Sequence, residues 1–172
     1  QKLNPATKQT KSNEKFAIVS LHRFETISKK ENLEMVVTEI KKISNKIKLF
    51  FILHPPTRVS LKKNGLYDSL EENPRCVLLP RQGFFEFNDL LGKAEFLVTD
   101  GGSNQEECFY LGTPCLLFRS ETERSEGIGE NVIVSNFDPT IIENFVLNYN
   151  SYRRQPIPAV FSPSRFIVDQ LV

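Results

Sequence analysis

The chain of 172 residues lacks the features that mark several classes of protein. Its 22 basic residues nearly balance its 21 acidic residues, so no excess of one charge attracts nucleic acid or a membrane surface. It contains no apolar run long enough to span a bilayer, and no charged segment followed by the apolar segment of a secretion signal. We therefore expect a soluble domain in the cytoplasm that binds neither nucleic acid nor a membrane.

Cysteine and histidine are also scarce, with three and two residues respectively. Cys76, Cys108 and Cys115 form no CxxC pair and have no neighbouring histidine, which is not the pattern of a metal site. Cys108 and Cys115 lie among apolar residues, so we predict buried free thiols and a reducing compartment. We expect neither a metal nor a cofactor.

The chain divides into a polar start and one domain. Residues 1–15 show no apolar periodicity and predict a flexible linker or arm. Residues 16–172 are enough to bury one substantial core. The stretch 155–172 contains Pro156, Pro158 and Pro163 and ends in a helix-like segment. We predict that this tail crosses back toward a neighbouring domain.

Short apolar runs alternate with amphipathic stretches along this domain. The predicted strands are 16–21, 49–54, 76–80, 96–100, 114–119 and 131–135, and the predicted helices are 31–43, 59–70, 85–93, 104–111 and one capped by Asp138 or Thr140 that ends near 149. A capping box from Ser28 to Glu31 is predicted to open the first helix. Wholly apolar strands separated by single helices predict a doubly wound parallel sheet, a Rossmann-like α/β/α fold.

Ligands of such sheets bind beyond the carboxyl ends of the strands, and most of the unusual polar residues of the chain lie there. The segment TDGGSNQEE, residues 99–107, leaves a strand, turns at two glycines and enters a helix. Free amides at that helix start favour an anion such as a diphosphate, and a carboxylate one turn further can accept ribose hydroxyls. The structural alternative is an ordinary turn followed by a helix whose first turn carries favourable charge.

The other strand ends carry further candidates, each with an ordinary structural alternative. His22 and Arg23 can serve as a proton donor and a phosphate partner, or lie in a surface turn. His54 takes the equivalent place after the second strand. The loop 121–127 mixes carboxylates with Arg124, which suits a sugar or phosphate as well as a solvated loop. The aromatic side chains at 84, 85 and 87 can stack a base, but such spacing is more often core.

Taken together, these segments resemble one family. TDGGSNQEE, LGTPCLLFR and ETERSEG are similar to the run T-D-S-G-G-x-Q-E-E, L-G-x-P, R, T-E-R-P-E of non-hydrolysing UDP-N-acetylglucosamine 2-epimerases. Upstream, HRFET, LHPPTRV and LPRQGFFEFNDLLGKA resemble that family's H-R-R-E-N, P-x-H-x-N-P-x-V and P-x-x-Y-x-x-F-x-x-L-M-x-x-A, the last with one residue inserted. The matches keep their order over residues 16–135.

The resemblance implies the second of two Rossmann-like domains, the arrangement of the large class of glycosyltransferases called GT-B, with UDP-sugar bound between the domains. It implies phosphate contacts at Gly101, Gly102 and Ser103, a ribose contact at Glu107, and Phe87 with Arg81 or Gln82 near the uracil. It places His22 and Arg124 in catalysis and Arg23 beside the UDP. It further implies that the carboxylates which handle the sugar's C2 proton belong to the first domain, so that this chain alone binds without turnover, and that the complete protein is a homodimer.

Three departures from the family run stand out. Gly101 takes the place of a serine and Ser103 that of a glycine, Ser125 replaces a proline, and the tail lacks a G-D-G-x-A motif. These changes keep a second hypothesis open, the nucleotide-binding domain of a GT-B glycosyltransferase with a UDP-sugar donor. A third is a domain that keeps the fold for assembly and binds no nucleotide. The leading hypothesis is an isomerase domain that acts on a UDP-amino sugar for surface polysaccharide synthesis.

Overall fold

The computed structural model describes residues 14–158 and residue 168, and these residues form a six-stranded parallel sheet. The strands are β1 Phe16–Ser20, β2 Lys48–Leu53, β3 Cys76–Pro80, β4 Leu97–Thr99, β5 Cys115–Leu117 and β6 Val132–Val134. Their spatial order is β3-β2-β1-β4-β5-β6. The order reverses between β1 and β4, which creates the crevice where doubly wound sheets bind their ligands.

Helices connect successive strands and cover both faces. They are α1 Phe24–Ile27, α2 Lys30–Ser44, α3 Pro55–Lys63, α4 Asp68–Glu71, α5 Phe84–Lys93, α6 Gly102–Leu111 and α7 Pro139–Asn148, followed by a short 3-10 helix Tyr149–Tyr152. Apolar side chains of α2, α3 and α7 pack in one core on one face, and those of α5 and α6 pack in a second core on the other. The predicted three-layer α/β/α fold is confirmed.

The predicted strands and four of the predicted helices are present, with boundaries that move by up to two residues. The predicted helix 59–70 is wrong: it is two helices, α3 and α4, separated by a turn in which Gly65 has a φ of +68°. Pro55 and Pro56 start α3 early, because proline suits the first turn of a helix, where no intrahelical partner awaits its missing N–H. The early start brings α3 directly against the end of β2.

The predicted capping box is also wrong. Lys29 is the N-cap residue of α2, and no side chain caps that end. Ser28 instead ends α1, the short helix that the apolar pattern did not reveal, and its N–H donates to the carbonyl of Phe24. The cap at the other end of the chain is correct, since Asp138 accepts a hydrogen bond from the Thr140 N–H at 2.8 Å.

The two ends of the chain lie mostly outside the described residues. Of the predicted arm, Glu14 and Lys15 are described, and they pair with Lys48 and Glu95 at 2.9 and 3.3 Å. Of the predicted tail, residues 159–167 and 169–172 are outside. The described part of the tail is tied to the domain, because the Ile157 N–H donates to the Tyr110 carbonyl at 2.9 Å, and just before the tail the Arg153 guanidinium donates to the carbonyls of Ala94 and Glu95 at 2.6 and 2.8 Å.

Candidate functional site

A cleft of about 370 Å³ opens at the carboxyl ends of the strands, and all ten predicted site residues line it. These are His22, Arg23, Arg81, Gln82, Phe87, Gly101, Gly102, Ser103, Glu107 and Arg124. They come from the loops after β1, β3, β4 and β5 and from the start of α5 and α6. Parallel strands deliver their following loops to one edge of the sheet, so residues up to 100 positions apart become neighbours here.

The turn from β4 into α6 brings backbone to the surface of this cleft. Helix α6 begins at Gly102, and its N-cap Gly101 makes no side-chain cap. A Cβ atom at Gly102 would lie 2.5 Å from Nε of Arg124, a distance that real contacts do not show. Glycine at this position therefore lets the Arg124 side chain lie directly against the start of α6.

Asp100 holds the loop after β1 in place. Its carboxylate is fully buried and accepts hydrogen bonds from the backbone N–H of His22 at 3.0 Å and of Arg23 at 2.9 Å. The Nδ1 atom of His22 lies 3.5 Å from the same carboxylate. A buried carboxylate is stable only with such partners. Asp100 thus joins β4 to the two cleft residues after β1, although sequence reasoning did not single it out.

The two histidines of the chain stack against each other in the cleft. The ring centroids of His22 and His54 are 4.5 Å apart with 27° between the ring planes. Nε2 of His54 lies 3.4 Å from Oγ of Ser20. Burial lowers the pKa of His54, and the positive charges of His22 and Arg81 lower it further, while Asp100 acts in the opposite direction. His54 therefore favours the neutral form, and it fixes the orientation of the His22 ring.

The lowered pKa of His54 predicts a stability that depends on pH. As the pH falls, His54 of the unfolded chain takes up a proton near its ordinary pKa of 6.5, whereas His54 of the folded chain does so only at lower pH. The free energy of unfolding therefore decreases as the pH falls from 6.5 through the folded-state pKa. We expect His54→Gln to lose less unfolding free energy between pH 7.5 and 5.5 than the unsubstituted protein, as measured by urea unfolding. An equal loss in both proteins would show that His54 does not carry this dependence.

Gln105 shapes the loop after β5. It is fully buried, its amide donates to the carbonyls of Arg124 and Glu126 at 3.2 and 2.9 Å, and its oxygen accepts from Thr122 Oγ1 at 2.8 Å. The Arg124 guanidinium in turn forms an ion pair with Glu106 of α6. These contacts hold Arg124 over the start of α6, so that its positive charge lies beside the amides of the glycine turn.

Glu123 lies between two arginines at the mouth of the cleft. Its carboxylate accepts from Arg23 at 3.1 Å and from Arg119 at 2.9 Å. A hydrogen bond from its own backbone N–H, followed by the contact with Arg119, lowers the pKa of Glu123 to about 2. Arg23 is thus already paired with a carboxylate within this chain, and any bound anion shares or replaces that pairing.

Glu107 lies half-buried on α6 with its carboxylate in the cleft. Burial raises the pKa of Glu107, and the neighbouring charge of Glu106 raises it further. The side-chain amide of Asn104 donates to Glu107 Oε2 at 3.0 Å and opposes that rise. Because Asn104 contacts Oε2, Oε1 and the second lone pair of Oε2 are available to accept hydrogen bonds from hydroxyl groups.

Aromatic and amide groups gather at the end of the cleft near β3. Phe87 is 9% exposed and belongs to the core beneath the cleft, whereas Phe84 lines the cleft with 66% of its surface exposed, next to Phe85 at 82%. The core interpretation of this aromatic group is therefore wrong for Phe84 and Phe85. The Gln82 amide donates to the Pro80 carbonyl at 2.6 Å, and Arg81 is exposed at the rim.

Seven residues that line the cleft are not among the ten predicted site residues. They are Ser20, Ile52, His54, Gly83, Phe84, Asn104 and Glu123. His54, Phe84 and Glu123 belong to strand-end segments that the sequence pattern had indicated, each with an ordinary structural alternative. Asn104 was not identifiable in this way, because its contacts are with Thr99 and, one helical turn away, with Glu107.

Two absences apply to the described part of the chain. Residues 14–158 and 168 contain no group of three or more His, Cys, Asp or Glu side chains placed to hold a metal ion. In the same residues no helix has the length and apolar character needed to cross a bilayer. Cys108 and Cys115 are buried free thiols, as predicted, and Cys76 is a third.

Comparison with known proteins adds to this geometry. A family model described as UDP-N-acetylglucosamine 2-epimerase matches residues 1–156. A curated UDP-N-acetylglucosamine 2-epimerase of Methanococcus maripaludis is 38% identical over 137 residues, which cover 78% of this chain and 37% of the relative. The chain therefore spans well under half the length of that relative.

Solved structures agree. The structure of UDP-GlcNAc 2-epimerase from Methanocaldococcus jannaschii superposes with a TM-score of 0.83 at 28% identity, over 95% of this chain and 47% of that one. The same enzyme in complex with UDP-GlcNAc and UDP superposes with a TM-score of 0.78 at 27% identity, over 98% of this chain and 51% of that one.

Proposed function

The chain belongs to the UDP-N-acetylglucosamine 2-epimerase family, and we propose that it is the UDP-binding, carboxy-terminal domain of such an enzyme. The complete enzyme would interconvert UDP-N-acetylglucosamine and UDP-N-acetylmannosamine by eliminating UDP and adding it back with C2 inverted. The observation that supports this best is the assembly of all ten predicted residues around one cleft. A related structure holds UDP-GlcNAc and UDP.

The chemistry of the cleft suits the three parts of UDP. Backbone amides at Gly102 and Ser103 together with His22, Arg23 and Arg124 supply donors and positive charge for a diphosphate. Glu107 supplies the carboxylate for ribose hydroxyls. Arg81, Gln82 and the aromatic group around Phe87 form the end that would hold the uracil.

In the reaction, UDP leaves with its bond to the sugar carbon broken, and negative charge grows on the diphosphate. His22 and Arg124 are placed to stabilise that charge, and the imidazole of His22 can hold a proton near the leaving oxygen. Asp100 and His54 would keep the His22 ring oriented for this task.

The carboxylates that remove and return the C2 proton would lie in the first domain, outside this chain. We therefore expect UDP binding without turnover. After incubation of the 172-residue chain with UDP-N-acetylglucosamine, chromatography should detect neither UDP-N-acetylmannosamine nor released UDP. Turnover by this chain would contradict the assignment of those carboxylates to the other domain.

The proposal also covers the oligomeric state, the location and the metabolic role of the complete protein. The complete protein would be a homodimer, would act in the cytoplasm and would supply a UDP-amino sugar for surface polysaccharide. A glycosyltransferase with the same nucleotide-binding fold is the alternative, and the family match over residues 1–156 favours the epimerase.

Glu107 offers a direct test of the nucleotide site. Each hydrogen bond to a charged group contributes about 1.5–3 kcal/mol, and 1.4 kcal/mol is tenfold in affinity, so Glu107→Ala should weaken UDP binding roughly 10- to 100-fold. Isothermal titration calorimetry measures this. Glu130→Ala is the matched control, because Glu130 pairs with Arg154 at 2.6 Å on the surface and does not line the cleft. Equal affinities of the two variants for UDP would contradict the ribose assignment.

A further inference from the structure

Asn104 is a cleft residue to which the family run assigns nothing, because it falls at the unspecified position of that run. It lies in the first turn of α6, one turn before Glu107. Its carboxamide joins two groups. Nδ2 donates to Glu107 Oε2 at 3.0 Å, and Oδ1 lies 3.0 Å from Thr99 Oγ1. Asn104 therefore links the end of β4 to the carboxylate on α6.

The Thr99 end of this link is buried in the sheet. Thr99 is fully buried, and its Oγ1 also contacts the Ser20 carbonyl at 2.8 Å and accepts from the Gly101 N–H at 3.0 Å. The single hydroxyl proton of Thr99 goes either to the Ser20 carbonyl or to Asn104 Oδ1, and in both cases the carboxamide of Asn104 lies against the end of β4. Asn104 contacts Thr99 at one end and Glu107 at the other, so it restricts the torsion angles of the Glu107 side chain.

Gly101 makes room for this link. A Cβ atom at residue 101 would lie 2.9 Å from Oδ1 of Asn104 and 3.1 Å from Cε1 of His22. The serine that the family run has at this position would push Asn104 away from Thr99 or displace His22. The glycine at 101 and the asparagine at 104 therefore form one compatible pair, which accounts for a departure from the family run.

We propose that Asn104 is a positioning residue that orients the Glu107 carboxylate toward the two ribose hydroxyls of the nucleotide. The inference rests on the proposed function, since it requires UDP in this cleft. Asn104 occupies one lone pair of Oε2 and leaves Oε1 and the second lone pair of Oε2 for the 2′- and 3′-hydroxyls. It also supplies a donor to a carboxylate that burial would otherwise push toward the protonated form, in which it accepts fewer hydrogen bonds.

The test compares UDP with 2′,3′-dideoxy-UDP, which has the same base and diphosphate but no ribose hydroxyls. We expect Asn104→Leu to lose roughly 5- to 20-fold in affinity for UDP, which is part of the loss expected for Glu107→Ala because the carboxylate stays in place but is no longer oriented, and less than about twofold for the dideoxy nucleotide. In the Glu107→Gln background, Asn104→Leu should have little further effect, because both substitutions act through the same carboxylate. Asn104→Ala is the smaller second variant, and urea unfolding checks that both fold.

A pH profile separates orientation from a purely structural role. The other charged or titratable side chains near Glu107 are Glu106 and Cys108 on the same helix and, around the cleft, His22, Arg23, His54, Arg81, Glu123 and Arg124. These side chains are the same in the unsubstituted protein and in Asn104→Leu, so a difference between the two pH profiles reports the titration of Glu107. Without the Asn104 donor, the acid-side midpoint of UDP binding should move to higher pH.

The control is Asn148→Ala, which removes an exposed amide that donates to Asn144 on α7, away from the cleft. It should bind both nucleotides as the unsubstituted protein does. Equal losses for UDP and dideoxy-UDP in Asn104→Leu, or no loss for UDP, would overturn the inference and leave the proposed function standing. Failure of the unsubstituted protein to bind UDP would overturn both.

Discussion

Gly102→Ala is expected to reduce the affinity for UDP by at least about 100-fold, because the effects on packing and on charge combine to about 3 kcal/mol. The new Cβ would lie 2.5 Å from Nε and 3.0 Å from Cδ of Arg124. Arg124 cannot yield easily, since its backbone is held by Gln105 and its guanidinium by Glu106. The added methyl group also occupies the surface where a diphosphate would approach the helix amides. Calorimetric titration with UDP measures the loss.

A second glycine provides the control for this substitution. Gly92 lies near the end of α5, and a Cβ atom there would meet no atom within 4 Å. Gly92→Ala should leave UDP affinity unchanged and stabilise the fold by about 0.5–1 kcal/mol, because alanine is favoured over glycine within a helix. If Gly102→Ala bound UDP as well as Gly92→Ala does, close approach of the ligand to this turn would be excluded.

Asp100→Asn is expected to cost about 2–4 kcal/mol of unfolding free energy, the range for leaving one or two buried donors without an acceptor. The carboxylate has no access to solvent, and both of its oxygens accept from backbone N–H groups of His22 and Arg23. An asparagine side chain offers only one acceptor oxygen. Its amide nitrogen would face a backbone N–H group that the second carboxylate oxygen of Asp100 accepts from. The loop after β1 should therefore loosen, and UDP affinity should fall with it.

Urea unfolding of matched variants measures that cost. Asp89→Asn is the control, because Asp89 is exposed and its ion pair with Lys93 at 2.6 Å is a surface pair of the kind that contributes little. The expected result is a lower midpoint for Asp100→Asn and nearly no shift for Asp89→Asn. Similar midpoints for the two would show that Asp100 does not anchor the His22 loop.

The sheet and the contents of the cleft were predictable for one physical reason. Residues 49–53 of β2 are buried on both faces of the sheet, so their apolar letters run without interruption, and parallel strands bring their carboxyl ends to one edge. Once the strands were located, it followed that His22, Gly102 and Arg124 lie close together at that edge. The family resemblance then added the expected role of each residue, and those roles stay predictions.

The contacts between side chains were not predictable in the same way. The stack of His22 on His54, the pairing of Glu123 with Arg23, and the link from Thr99 through Asn104 to Glu107 depend on rotamers and distances that no periodicity encodes. The capping box failed for a related reason. Ser28 and Glu31 have the right spacing, but Ser28 is already the C-cap residue of the short helix α1.

Titration of the 172-residue chain with UDP and with ADP tests the central claim most directly. The cleft described here should bind one UDP saturably and should bind ADP at least about tenfold more weakly, since about 1.4 kcal/mol of base discrimination suffices for that ratio. This result would support a uridine nucleotide site formed by this domain itself. Absence of saturable UDP binding, or equal affinity for the two nucleotides, would contradict it.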